Sequence, residues 1–137
     1  GYSYDETQAM IARSFMISAD NGHALHPNHG EYADPVNAPR LNEGIVIKFN
    51  AQQKYATDGF SAAFFRDLCG RVEVPTQVFT NRSDIPGGST LGNISNTKVS
   101  MPTVDIGLPQ LAMHSSYETA GTKDTAYLVM ACTAFFE

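Results

Sequence analysis

At 137 residues, with 42% hydrophobic and 17% charged side chains, the sequence suits one folded domain with a real core and excludes disorder as its default state. A formal charge of −5 with no Lys/Arg cluster removes the electrostatic footprint of a nucleic-acid binder. No apolar run approaches the ~18 residues that span a bilayer, and no leader-like stretch opens the sequence, so a cytoplasmic location without membrane attachment is expected.

The first residue is Gly1 rather than Met, and helical sequence follows at once, which suggests a piece of something longer. Residues 5–15 place Met10, Ile11, Ser14 and Phe15 at helical spacing behind Asp5 and Glu6, acidic groups that favour a helix start. "FMISAD" then predicts a short buried strand ending at Asp20. From His23 to Asn42 the segment is rich in Pro, Asn, His and Gly and predicts a long surface loop, a length usually tied to function or disorder.

"GIVIKFN", residues 44–50, has the β-branched content of a strand. The next run, "TDGFSAAFFRDLCGRV", predicts a helix capped by Thr57 or Asp58, with Phe60, Phe64, Phe65 and Leu68 on one face and Gly70 near its end. A strand follows over 75–81, then a turn-rich stretch that becomes a short helix from about Ser89. Another strand is predicted near Thr103–Ile106, and a helix over 122–136 closes the sequence. Cys69 and Cys132 fall in separate helices, far apart and without zinc-knuckle or redox spacing, and are expected to be buried free thiols.

Strands alternating with helices predict an α/β layered fold with a mainly parallel or mixed sheet, whose ligands gather outside strand carboxyl ends. Asp20 ends the first strand, Lys48 lies inside the second, "NRSD" follows the third and His114 follows the fourth. Each has a plainer alternative. Asp20 could accept backbone hydrogen bonds in a turn, Lys48 could be exposed at a strand edge, and His114 could be a packing residue. His23 and His26 could serve as metal-proximal donors, substrate contacts or surface groups, and His29 is expected to be exposed. Lys48, in the middle of an apolar run, must lie on a polar face or be paired. "DIPGGSTLGN" offers backbone N–H groups to an anion but lacks the Lys of a nucleotide loop.

"SFMISADNGHALHPN", "GIVIKFNAQQKYATDGFS", "RSDIPGGSTLGNI" and "DIGLPQLAMHSSYE", in this order and spacing, resemble the C-terminal part of the catalytic domain of the M18 metallopeptidases, the aspartyl aminopeptidases. The resemblance runs from about Ile11 to Phe136. It implies a three-layer zinc-peptidase-like sheet with flanking helices, present here as a partial domain. It also implies a site of two zinc ions, an inserted dimerisation domain outside residues 1–137, and homo-oligomers, namely dodecamers. On this resemblance Asp20 and His114 match metal ligands, and Lys48 matches the lysine facing an acidic substrate side chain. Tyr55 and the turn at Gly88, Ser89 and Thr90 match substrate-binding positions, and His23 and His26 match histidines near the metal. Asn21 and Gly22 depart from the larger or apolar residues of other members, and "SSYE" stands in place of "SIRE".

The implied reaction is metal-assisted hydrolysis of peptides from the amino terminus, with selection for Asp or Glu through Lys48. The family's other ligands and its general-base glutamate have no match in these residues. The resemblance therefore implies that the chain alone binds zinc weakly and is inactive, since a zinc site needs three or more protein ligands. Half a sheet is also expected to expose apolar surface and self-associate. Two rival readings are a non-catalytic regulatory domain derived from the family and a single-metal hydrolase using Asp20, His23 and His26.

Overall fold

A computed structural model of the chain describes residues 1–137. The first helix, α1 (Tyr4–Ala12), starts on a reciprocal cap: the Glu6 N–H donates to Ser3 Oγ at 3.2 Å and the Ser3 N–H donates to the Glu6 carboxylate at 2.8 Å. It buries no residue and stops three residues short of the expected Phe15. The physical reason is tertiary: Phe15 leaves the helix to pack against Phe64, with ring centroids 4.4 Å apart.

Two small sheets follow. The larger contains β1 (Met16–Ala19), β5 (Thr103–Gly107), β3 (Ile45–Phe49) and β4 (Thr76–Thr80), in that spatial order. The β1–β5 and β3–β4 pairs are parallel, whereas β3 and β5 are antiparallel, so the mixed alternative is the one realised. The smaller sheet joins β2 (Gly22–His23), β6 (Pro109–Leu111) and β7 (Thr119–Ala120). None of these three short strands carries enough alternation to be predicted from sequence. Beyond His23, which belongs to β2, the long 23–42 segment is irregular apart from a single 3-10 turn at Gly30–Tyr32.

One face of the larger sheet packs on α2 (Gly59–Arg71) and α4 (Thr122–Phe136). Ile45, Ile47, Val104 and Ile106 point into this layer and meet Phe65, Leu68, Cys69 and Ala131. Alternation along the strands explains the selection, since odd and even positions face opposite sides. Phe65 is fully buried, but Phe60, expected on the same stripe, is 65% exposed because it lies in the first turn, beyond the sheet. Asp58 supplies the predicted cap, accepting from the Ser61 N–H at 2.7 Å. Both cysteines are free, and burial pushes the Cys69 thiol up to about 12, which makes it inert.

The opposite face carries a polar row that no helix layer of this kind would tolerate. Ser18 pairs with Asp105 and Lys48 pairs with Phe79, and the antiparallel register beside Ile47–Ile106 brings Asp105 and Lys48 together. The short helix α3 (Leu91–Asn96) covers the Ser18–Asp105 end through Gly92, where an added Cβ would lie 2.7 Å from both side chains. The Lys48 end opens into a cavity.

At the foot of α4, fully buried Asp124 accepts from the Asn42 N–H at 2.7 Å and the Gly44 N–H at 3.0 Å. It thereby anchors the end of the long loop just before β3. Asp124→Ala is expected to leave both donors unpaired and lower unfolding free energy by about 2–3 kcal/mol, measured by urea denaturation against the parent chain.

Candidate functional site

The cavity has a volume of about 560 Å³. Its walls come from the end of β1, the 23–39 loop, the centre of β3, the segment after β4 and the segment after β6. A single carboxyl edge was expected. Because β3 and β4 run opposite to β1 and β5, the strand ends lie at both edges, and the cavity spans the sheet face between them.

The residues that the family resemblance assigns to the site all line this one cavity: Asp20, His23, His26, Lys48, Tyr55, Gly88, Ser89, Thr90 and His114. Asp20 and His114 are exposed. His114 occupies a left-handed conformation (φ 66°), and its N–H donates to the Glu118 carboxylate at 2.6 Å, which fixes the turn that presents the ring. No three His, Cys, Asp or Glu side chains gather closely enough to hold a metal. The compact Asp20–His23–His26 site is therefore not formed.

Lys48 corrects the edge-strand alternative. It is 2% exposed in a central strand, and no carboxylate lies within ion-pairing distance. Its ammonium donates to the carbonyl oxygens of Asp20 and, at 3.1 Å, Asn21, and it stands 5.6 Å from the centroid of the Tyr55 ring. Burial pulls its pKa down, partly offset by Asp20 and Asp105. Tyr55 is shifted up for the same reason, burial first and then Asp105. Gly22 keeps the lysine stem free: a Cβ there would sit 3.3 Å from Lys48 Cε. Asn21, the other departure noted above, donates to Gln110 Oε1 at 2.7 Å and so ties the end of β1 to β6.

The turn carrying Gly88–Thr90 is braced at several points. Lys54 Nζ donates to the Gly87 carbonyl at 2.7 Å, and Gly87 lies so close to Asn81 that a Cβ would approach its Oδ1 within 2.5 Å. Arg82 forms a two-point pair with Asp84, at 2.9 and 2.5 Å, and donates to the Glu31 carbonyl, so it joins the turn to the long loop. That pairing raises the Arg82 pKa and lowers that of Asp84. His29, expected to be exposed, is so, yet it lines the cavity and pairs with Glu31 at 3.0 Å.

Of the "NRSD" that follows the third predicted strand, Asn81 and Arg82 line the cavity and Ser83 and Asp84 do not, whereas Gln110 was not anticipated as a lining residue and neither was Asp105 behind it. Asp105 alone carried a readable signal: an acid inside "TVDIG" is as anomalous as the lysine inside "IVIKF".

The sequence model described as "Aminopeptidase I zinc metalloprotease (M18)" matches residues 2–136. A probable M18 family aminopeptidase 2 from Stutzerimonas stutzeri is 51% identical over 132 residues, covering 96% of this chain and 31% of the relative. Among solved structures, the one titled as the Ape4 and Nbr1 complex aligns with a TM-score of 0.96 at 38% identity, over 99% of this chain and 26% of that one. The mApe1 dodecamer of S. cerevisiae aligns with a TM-score of 0.83 at 29% identity, over 94% of this chain and 28% of that one. The chain thus spans about a third of the length of the curated relatives it matches.

Proposed function

Because the chain belongs to the M18 family of zinc metalloproteases, we propose that it forms the C-terminal part of the catalytic domain of an aminopeptidase that removes N-terminal Asp or Glu from peptides. The observation that carries this is the convergence of Asp20, Lys48, Tyr55, the Gly88–Thr90 turn and His114 on one cavity. Asp20 and His114 offer a carboxylate and an imidazole, both zinc-ligand types, but two donors fit a share of a zinc centre rather than a whole one. In this reading the remaining ligands of a two-zinc site, the general base and the dimerisation domain come from sequence beyond these residues. Zinc, when bound, supplies a Lewis acid that polarises the scissile carbonyl and makes water more acidic.

The chain's own residues do the selecting. Two of the three Lys48 ammonium protons are directed at backbone carbonyls, which leaves one for an incoming carboxylate. A buried ammonium without an ion-pair partner is electrostatically incomplete, and an acidic side chain completes it. Tyr55 limits the pocket beside that charge, and the exposed Gly88 and Ser89 present their backbone to a peptide. His23 and His26 also line the cavity, where they orient ligand or substrate groups. The apolar groove beside the free edge of β1, lined by Phe15, Ile17, Met101, Cys132, Phe135 and Phe136, is where further polypeptide covers the sheet. Assembly into a homo-oligomer and a cytoplasmic location belong to the same proposal.

The test is Lys48→Met in the complete aminopeptidase. The value of kcat/KM for peptides beginning with Asp should fall about 100-fold, while peptides beginning with Leu change little. Equal losses on both substrates would remove Lys48 from specificity.

A further inference from the structure

We propose that Asp105 is a positioning residue that sets the spacing between two cavity walls, the Tyr55 segment and the Gly88–Thr90 turn, on either side of Lys48. This rests on the aminopeptidase reading only for what those walls contact. The geometry stands apart from it. Asp105 is fully buried, in the middle of β5, with no cation within ion-pairing distance. One carboxylate oxygen accepts from the Ala56 N–H at 2.6 Å, and the other accepts from Thr90 Oγ1 at 2.7 Å. Its backbone N–H donates to Thr57 Oγ1 at 2.8 Å. The two segments are more than 30 positions apart in the chain and are irregular at these points, so neither is held by a strand ladder.

A buried carboxylate carries a large desolvation cost, and a sheet interior would be better served by an apolar residue unless the acid has work that an apolar side chain cannot perform. Here that work is bidentate. A single side chain grips the residue after Tyr55 and the residue after Ser89, so the distance between the two walls equals the span of one carboxylate plus its hydrogen bonds. Gly92 lets α3 close over the pair, since a Cβ there would lie 2.7 Å from Asp105 Oδ1. The same charge also faces Lys48 across the sheet and partly offsets the effect of burial on that ammonium. Asp124 uses a carboxylate in a similar two-amide grip, but outside the cavity, on Asn42 and Gly44. The Asp105 grip differs in that both of its targets are cavity walls.

The experiment compares the chain with its Asp105→Asn, Asp105→Ala and Thr90→Val variants by amide hydrogen exchange and by the chemical shift of the Ala56 amide. No metal or substrate is needed, so the result is independent of whether the peptidase reading holds. In the parent chain the Ala56 proton should resonate downfield, as a short charge-assisted bond requires. Asp105→Ala should speed exchange at Ala56 at least tenfold and loosen the 86–90 segment, while α2 and β3 amides change less than threefold. Asp105→Asn, whose amide oxygen still accepts, should restore most Ala56 protection but move its proton upfield. Thr90→Val should loosen 86–90 alone and leave the Ala56 shift in place. If Asp105→Ala does not fold, the Asn and Val variants carry the test by themselves. Uniform acceleration across the molecule, an unmoved Ala56 shift in Asp105→Asn, or equal loosening of both walls by Thr90→Val would overturn the proposal.

Discussion

The purified 137-residue chain is expected to hydrolyse no peptide beginning with Asp and to retain well under one equivalent of zinc after gel filtration. Asp20 and His114 are the only zinc ligands proposed from these residues, and no three acids, histidines or thiols gather closely enough to hold a metal. Two donors leave a zinc ion largely to water, and tight protein sites use three or four. Without a positioned general base and a held metal, the acceleration of about 10⁶-fold or more that separates an enzyme from solution chemistry is lost. Metal analysis by mass spectrometry and a fluorogenic N-terminal Asp substrate measure the two quantities. Turnover by the pure chain, surviving removal of contaminating peptidases, would sink the proposed division of the site.

Gly107→Ala is expected to cost above about 4 kcal/mol, a large fraction of the about 5–15 kcal/mol that holds a domain folded. Gly107 ends β5 where the backbone of Asp20 passes directly over it. An added Cβ would fall inside the surface of the Asp20 carbonyl oxygen, 2.9 Å from its carbon and 3.1 Å from Asn21 Cα. All of these are backbone atoms, so no rotamer change relieves the overlap. The Asp20 carbonyl is also the acceptor that holds the Lys48 ammonium, so whatever folds should lose the lysine's placement as well. Gly70→Ala is the matched control: in α2 with nothing within 4 Å of the added methyl, it should stabilise by about 0.5–1 kcal/mol. Circular dichroism during urea unfolding separates the two. Equal stability of both variants would show that β1 can shift away from β5 without cost.

These expectations draw on different levels of the molecule. The apolar run "IVIKF" could only be a strand, and its lysine announced itself as an exception before any fold was known. Its treatment did not follow from the sequence. An edge position with solvent was as consistent with the residues as the central, carbonyl-bound position observed. The difference lies in strand order, since β5 comes last among the four strands in the chain yet inserts between β1 and β3.

Helices α2 and α4 were legible because their periodicity is local and long enough to read. The end of α1 was not, since Phe15 is claimed by Phe64, a residue 49 positions away. The strands β2, β6 and β7 have two or three residues each and exist only because they find each other. Asp105 shows the same divide. Its residue type marked an oddity inside a strand, but only the folded chain shows that its two oxygens reach Ala56 and Thr90.

By itself, then, the sequence determined the family, the α/β class, the principal helices and strands and the set of residues able to do chemistry. Those properties depend on side-chain type and near-neighbour spacing. Tertiary structure alone decided the strand order, the burial of Lys48, the meeting of Asp20 with His114 around one cavity, and the brace behind it. Each of those depends on which distant segments pack together: the apolar face of the sheet takes α2 and α4, and the polar row is left on the other side.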